Sequence, residues 1–557
     1  MPDTAASKTD WAKVPASPIF GGLYGAGDLL RRNAEVVGRE TGLIFGNVRL
    51  TWCEVNARAN AFANELRRMG IQRGDRVALY ARNSHQWVEA LFGLAKIGAV
   101  SVTVNYRLTA AEVEYIIRNS GARAILCGET EADNALKVAA QVDDVKWLIG
   151  VGTGTEVGAG TEPRLLRSEV EFADYESFVA RGDQSEPMLD QPLTFNEPAM
   201  LLYTSGTTGF PKGAVYTHGS LLLGMFVHVD AIGSRRTHKV MLPSPLYSAA
   251  GIAGIYCAVF VGSTIALINF DAVTALETIE REHITFTNLV PTTIQMLLAR
   301  EDLTRYDLSS LEVLLYGGSP IPEPVLRDAM VKLPNCSFRQ TFAATETGCS
   351  GTVLEPREHR AALENPDLRH RLLSCGRPQV GVEVKVFSED GQPLPPGEVG
   401  EIGVRTEANM LCYWNNPEAT AKAIRNGWVF TGDMARVDED GYIYLVDRKN
   451  DLIVSGALNV YPSEVERVLQ THPAIYECAV IGVPSERWGE EVKAIVVLRE
   501  GASATADELI AHCGNELAGF KKPKSVEFIV RLPRNLTGKI LRRELREKYW
   551  EGQERKI

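Results

Sequence analysis

The chain has 557 residues, 45% of them apolar and 23% charged, and a formal net charge of -11. That length exceeds what one hydrophobic core organises, so an ordinary globular composition here implies several subdomains. The acidic balance argues against broad electrostatic binding to nucleic acid or anionic lipid, so an anionic ligand must be held by local donors.

Residues 1–18 read as a polar tail. They lack the basic start and apolar core of a signal peptide. Amphipathic helices then alternate with strands. Thr51 to Glu54 spells a capping box, and Val55, Ala59, Phe62, Leu66 and Met69 follow at helical spacing. Residues 76–81 read as a strand, and Ser84 caps a helix running to about Gly98. Thr109 to Glu112 is a second capping box, ending near Gly121, and residues 122–127 form another strand. This alternation predicts α/β layers built on parallel sheet. Residues 150–160 are glycine-rich without a dinucleotide fingerprint and read as a surface loop.

The chain is organised around residues 201–213. Thr204, Ser205, Gly206, Thr207, Thr208 and Gly209 precede Lys212. Small residues let backbone N–H groups approach an anion, the hydroxyls add donors, and the lysine adds a point charge. Such a loop is built to hold phosphate, and its spacing is not that of a Walker A loop. Residues 240–270 contain no charge, a length that could span a bilayer. Pro243, Pro245, Gly251, Gly254, Gly262 and Asn269 interrupt the stretch, which reads as buried core and pocket wall. Strands near 285–289 and 311–316 follow, the second ending in Gly317, Gly318 and Ser319, where backbone can lie flat against a planar ligand. A further strand ends at Phe342, Ala343, Ala344, Thr345 and Glu346. The carboxyl ends of strands are where α/β sheets place ligands. Asp433 follows Thr431 and Gly432 as an acid on a turn, residues 441–446 form a strand, and 447–451 form a polar knot that suits a domain boundary. A small α+β domain then closes with Thr537, Gly538 and Lys539 and a basic helix.

Residues 204–213, 344–346, 431–433, 447–448 and 537–539 occur in the order of the adenylate-forming superfamily, which the chain resembles over residues 19–548. Residues 483–490 and 520–523 are similar to its acyl-CoA synthetase branch. The resemblance implies an α/β fold in which a large, multi-subdomain N-terminal domain holds two parallel-sheet α/β layers plus a small β-barrel. A small, mobile α+β C-terminal domain follows. The implied boundaries are a tail at 1–18, an AMP-binding domain at 19–449 and a mobile domain at 450–557, with a hinge near Asn450. The implied chemistry is two half-reactions: a carboxylate attacks the α-phosphorus of ATP, and coenzyme A then takes the acyl group and expels AMP.

Each implied role fits its residue. Thr204 to Gly209 and Lys212 would hold the β- and γ-phosphates, and Thr345 would donate to the α-phosphate. Glu346 would supply a hard oxygen for Mg2+. Gly317, Gly318, Ser319 and Phe342 would form the adenine slot, while Asp433 accepts the ribose hydroxyls with Arg448 beside them. Lys539 would bridge carboxylate and α-phosphate, making it catalytic with Thr345 and Glu346. Tyr247, Ser248, Gly251 and Ala343 would line the acyl pocket. Gly456, Ala457 and Trp488 would lie on the coenzyme A path. Taken singly, Asp433 reads as a turn acid, Arg448 as a surface ion pair, Lys539 as part of a solvated basic face and Glu346 as a helix-terminal charge.

Several positions depart from the family pattern. Ser248 stands where histidine is common, Phe342 where tyrosine is frequent, and Ala343 where glycine is usual. Asn450 replaces aspartate or lysine at the hinge, and Ala457 a second glycine. The residues expected at the acyl pocket include no lysine, arginine or histidine, and many are small. A roomy apolar pocket taking a hydrophobic monocarboxylate follows. The partners implied are small molecules (the acid, ATP and coenzyme A), with no nucleic acid and no transmembrane segment; a homodimer is left open. Nine scattered cysteines without a Cys-x-x-Cys pair read as thiols of a reducing compartment, hence a cytoplasmic enzyme. Other readings are a ligase specialised for the second half-reaction, an enzyme charging a carrier protein, a luciferase-like monooxygenase and a nucleotide-binding regulator.

Overall fold

The computed structural model describes residues 23–152, 170–204, 210–319, 321–448, 451–455, 458–485, 487–514, 516–534 and 540–551. The chain divides into two compact units: Met1–Val384 with Val404–Val429, and Lys385–Gly403 with Phe430–Ile557.

The first unit contains two large sheets. One runs Arg377–Pro378, Gly351–Leu354, Ser337–Ala343, Val313–Gly317, Phe286–Leu289, Lys239–Leu242, Thr264–Leu267, Thr41–Phe45 and Val48–Thr51 from edge to edge. Its inner strands pair in parallel, and antiparallel strands close both edges. The other runs Cys412–Tyr413, Lys212–Thr217, Pro198–Thr204, Val100–Thr103, Arg76–Tyr80, Ala122–Gly128, Trp147–Val151 and Glu171–Asp174. The parallel strands of such layers are covered on both faces; all four residues of Val100–Thr103 are buried. A further five-stranded sheet contains Glu383–Phe387, Val399–Arg405, Ile424–Arg425, Trp428–Val437 and Ile443–Arg448; its described strands form an open half-barrel where the resemblance implied a small β-barrel.

Both capping boxes form. Thr51 opens the helix Trp52–Arg68 and Thr109 the helix Ala110–Ser120, which stops at Gly121 in the left-handed region. Ser84 caps His85–Lys96. The uncharged stretch resolves into the strand Lys239–Leu242, the helix Ala249–Val261 and the strand Thr264–Leu267. Among the described residues, no helix is long and apolar enough to cross a membrane. Gly150 and Val151 end the strand Trp147–Val151 rather than opening a loop, and residues 153–160 of that glycine-rich stretch lie outside the described residues.

The strand Trp428–Val437 continues through Asp433, which pairs with Arg448 across an antiparallel ladder. Asp433 is therefore a strand residue and not the turn acid that Thr-Gly-Asp suggests. Asp447 and Arg448 likewise extend the strand Ile443–Arg448 instead of ending it. The remaining sheet runs Leu458–Val460, Ile453–Ser455, Gly489–Leu498 and Ile475–Ser485, with Ser525–Phe528 parallel to Gly489–Leu498. Alternation splits its core by face. Val480, Val492 and Ala494 pack with Val465 and Leu509, whereas Ile481, Val483 and Ile495 pack with Leu545.

Buried histidines set an acid limit on stability. Burial pushes His218, His228 and His359 down to about 4 from 6.5. His359 stays neutral between the Tyr316 hydroxyl at 2.8 Å and the Glu355 carbonyl at 2.9 Å. Between those two pKa values the unfolded chain binds protons that the folded chain refuses, so stability falls as pH drops through that window. The urea midpoint is expected to decline steadily from pH 6.5 towards 4; a flat midpoint would contradict buried, neutral imidazoles.

Candidate active site

The phosphate-loop sequence bridges a hairpin. Pro198–Thr204 and Lys212–Thr217 run antiparallel, with Thr204 opposite Lys212. Ser205, Gly206, Thr207, Thr208 and Gly209 lie outside the described residues. On the hairpin side, the Thr204 hydroxyl lies 3.5 Å from the Lys212 carbonyl. The Lys212 ammonium stands 5.4 Å from the centre of the Tyr413 ring, a cation–π arrangement.

Thr345 and Glu346 begin a single 3₁₀ turn, Thr345–Thr347, just beyond the strand Ser337–Ala343. Two tyrosines fix that turn. The Tyr216 hydroxyl donates to the Thr345 carbonyl. The Tyr413 hydroxyl donates to Glu346 Oε1 at 2.6 Å. The Glu346 carbonyl accepts from the Met410 N–H at 2.9 Å, and a Cβ on Gly348 would sit 2.1 Å from the Ala408 carbonyl. Residues 408–413 are thus moulded onto the turn. Burial, with the Glu346 carboxylate beside it, holds the Tyr413 hydroxyl far above its ordinary pKa, so it remains a donor.

Tyr413 therefore ties Lys212 to Glu346, a link invisible in sequence because 67 positions separate it from Glu346. Its neighbours Cys412 and Trp414 give no distinguishing signal. A hydrogen bond to a charged group is worth about 1.5–3 kcal/mol. Tyr413→Phe is accordingly expected to slow the ATP-dependent step roughly tenfold to a hundredfold. Unchanged pyrophosphate release would show that Glu346 needs no such tether.

Glu346 fits a magnesium role. It is half-buried, and one oxygen is engaged by Tyr413. No group of three or more His, Cys, Asp or Glu side chains gathers among the described residues. Mg2+ favours one or two carboxylates supplemented by substrate phosphates, so a carboxylate linked through Tyr413 to Lys212 would suit it.

Gly317 ends its strand opposite Thr341, and a Cβ there would lie 2.3 Å from the Thr341 carbonyl. Gly318 adopts a φ of +80° and is exposed, followed by half-buried Ser319. Phe342 and Ala343 sit on the neighbouring strand, opposite Thr352 and Gly351, with Phe342 buried. These positions converge at the carboxyl end of the sheet, as the motif order implied.

The expected acyl residues divide. Ser248 is the N-cap of Ala249–Val261: its hydroxyl donates to the Pro245 carbonyl at 2.7 Å and accepts from the Gly251 N–H at 3.2 Å. Gly251 does not widen a pocket, because a Cβ there would lie 2.1 Å from the Pro245 carbonyl. It is glycine so that helix and loop can touch. Tyr247 is buried edge-on to Tyr106 at 5.4 Å, its hydroxyl lacks a partner among the described residues, and burial pushes that hydroxyl up to about 12.

In the second unit, Asp433 is 9% exposed and its N–H donates to the Thr431 hydroxyl at 3.1 Å. Asp447 accepts the Ser463 N–H at 2.8 Å, tying the hairpin to the start of the helix Pro462–Leu469. Asp451 is gripped by Arg542 at 3.3 Å and Arg546 at 2.7 Å. Trp488 is partly exposed beneath the Arg487 guanidinium. Asn450, Gly456, Ala457 and Lys539 lie outside the described residues.

Comparison with known proteins gives this geometry a context. Residues 30–414 match the model of the AMP-binding enzyme family, and residues 464–539 that of the AMP-binding enzyme C-terminal domain. A feruloyl-CoA synthase of an Amycolatopsis species is 36% identical over 531 residues, covering 94% of this chain and 99% of that one. A fatty acid–[acyl-carrier-protein] ligase of Streptomyces coeruleorubidus, ScoC, is 36% identical over 519 residues, covering 91% and 93%. The crystal structure of the anthranilate CoA ligase AuaEII with anthranoyl-AMP superposes with a TM-score of 0.83 at 27% identity, covering 96% of this chain and 98% of that one. The ordered motifs, the clasped Glu346 turn and these matches agree: the chain belongs to the AMP-binding enzyme family, as an adenylate-forming acyl-CoA ligase using ATP, magnesium and coenzyme A.

Proposed function

We propose that the protein activates a hydrophobic monocarboxylic acid as its acyl-adenylate and passes the acyl group to coenzyme A. The observation that carries this reading is the Lys212–Tyr413–Glu346 clasp beside the phosphate-loop hairpin. Phosphoryl transfer needs positioning and charge neutralisation more than covalent help. The clasp supplies a fixed cation and a fixed carboxylate. In this reading Thr345 donates to the α-phosphate, Asp433 and Arg448 hold the ribose, and Lys539 bridges the two reacting groups.

Lys539 and the segment around Gly456 serve different half-reactions, with Asn450 as the pivot between them. A pivot of one residue must absorb a large φ/ψ change. The hydrophobic acid follows from the absence of charge in residues 240–270 and at Ala343; the charge that reaches Tyr247 is the Arg107 guanidinium, 5.3 Å from the centre of the Tyr106 ring packed against it. A cytoplasmic setting follows from nine free cysteines, five of them buried.

The test is pyrophosphate release over a panel of carboxylic acids, with mass detection of the thioester formed on adding coenzyme A. Best activity on a long-chain or aryl monocarboxylate is expected, and best activity on acetate or malonate would overturn the substrate class. The likeness to ScoC, named as a carrier-protein ligase, favours one alternative acceptor. Acyl transfer to a phosphopantetheinylated carrier protein, with none to coenzyme A, would establish it.

A further inference from the structure

Asn83 joins the two large sheets of the first unit at their carboxyl ends. It follows the strand Arg76–Tyr80 of the eight-stranded sheet and precedes the Ser84 cap of the helix His85–Lys96. Its side-chain N–H groups donate to the Ser244 and Ile268 carbonyls, both at 3.0 Å, and its Oδ1 accepts from the Leu246 N–H at 2.8 Å. Ser244 and Leu246 follow the strand Lys239–Leu242, and Ile268 follows Thr264–Leu267, its parallel neighbour in the nine-stranded sheet. Asn269 completes the junction. Its side chain donates to the Asn83 carbonyl and accepts from the Asn83 N–H, each at 3.2 Å.

Asn83 is 3% exposed, and its two donors and its oxygen are all used. Serine has one donor and an ionised aspartate none, so the junction calls for an amide. The loop held in this way carries two of the residues expected at the acid. Between the groups fixed by Asn83, the Pro245 carbonyl accepts from the Ser248 N–H at 3.0 Å and from the Ser248 hydroxyl at 2.7 Å. Tyr247 is therefore anchored on both sides, at Leu246 and at Ser248. Its ring meets Tyr106 edge-on at 5.4 Å, and the guanidinium of Arg82, the neighbour of Asn83, lies 5.5 Å from the centre of that Tyr106 ring. Among the described residues, Asn83 makes no hydrogen bond to the phosphate-loop hairpin, the Glu346 turn or residues 317–319.

We propose that Asn83 is a positioning residue for the acid. By fixing residues 244–248 it sets where Tyr247 and Ser248 meet the substrate, and it takes no part in holding ATP. The inference rests on the acid-activating reading above. Without the amide, two carbonyls and one N–H of the junction lose their partner, and the loop must shift to find others.

The experiment measures KM for the acid and for ATP by pyrophosphate release, using the best acid of the panel. Asn83→Ala is expected to raise KM for the acid by about tenfold or more while KM for ATP stays within about twofold. Asn83→Asp keeps the shape and the acceptor for Leu246 but turns an oxygen towards two carbonyls. Burial beside those carbonyls raises its pKa, and protonation restores one donor. Its KM for the acid should therefore fall as pH is lowered from about 8 to about 6, with no such change in the wild type. Asn83→Asp also carries the comparison should Asn83→Ala fail to fold. Asn60 is a structural control: 2% exposed, it donates to the Gln184 carbonyl at 2.9 Å. Asn60→Ala should lower the thermal midpoint and leave both KM values in place. An unmoved KM for the acid, an equal rise for acid and ATP, or an equal rise in Asn60→Ala overturns the positioning role while leaving acid activation standing. A wild type that releases no pyrophosphate with any acid overturns the acid-activating reading itself, and the role of Asn83 with it.

Discussion

Lys539→Ala is expected to slow acyl-adenylate formation on the order of a hundredfold to a thousandfold, about 2.7–4 kcal/mol, the size of one preorganised donor at a developing charge. Thioester formation from a synthetic acyl-adenylate should be nearly unaffected, because in the proposed alternation the segment around Gly456, and not Lys539, serves that step. The described residues flanking Lys539 are anchored. Arg534 and Ile540 pair across the segment, and Arg534 forms an ion pair with Glu477. Single-turnover measurement of each half-reaction separates the two effects. Equal loss in both would contradict a carboxyl-terminal domain that presents Lys539 for one step only.

Glu346→Gln should produce the second large effect. The amide keeps an oxygen that can accept from Tyr413, so the turn held by Tyr216 and Tyr413 persists. The negative charge is lost, and with it the hard oxygen that Mg2+ prefers. Adenylation is expected to fall on the order of a hundredfold, and half-saturation by Mg2+ to move to higher concentration. The two variants discriminate roles: Lys539→Ala should leave the magnesium dependence in place, whereas Glu346→Gln should shift it. A Glu346→Gln enzyme with wild-type magnesium dependence would place the ion elsewhere.

Features encoded within a few residues were legible in the sequence. Thr51 with Glu54, and Thr109 with Glu112, form the capping boxes that their spacing announces, since a cap is decided within one turn. The parallel layers followed from strands alternating with amphipathic helices. Features decided by pairing were not legible. Asp433 looked like a turn acid because Gly432 precedes it, yet Gly432 takes a φ of +75° within the strand. Asp447 and Arg448 looked like a boundary because they are charged, yet opposite Met434 and Asp433 they extend the ladder. Gly251 looked like room for a ligand and is instead a contact with Pro245. Tyr413 acquires meaning only when distant segments meet, at Glu346. Motif order proposed the site residues, and tertiary contact decides what clasps Glu346.

The central claim is that the carboxylate itself attacks the α-phosphorus of ATP. An acid carrying oxygen-18 in both carboxylate positions tests it in one turnover with coenzyme A. Attack joins a labelled oxygen to the α-phosphorus, and thiolysis then breaks the bond between that oxygen and the acyl carbon. The account predicts one labelled oxygen in AMP, none in pyrophosphate, and one remaining in the thioester. Label in inorganic phosphate, with ADP as the nucleotide product, would mean an acyl-phosphate route and would contradict it.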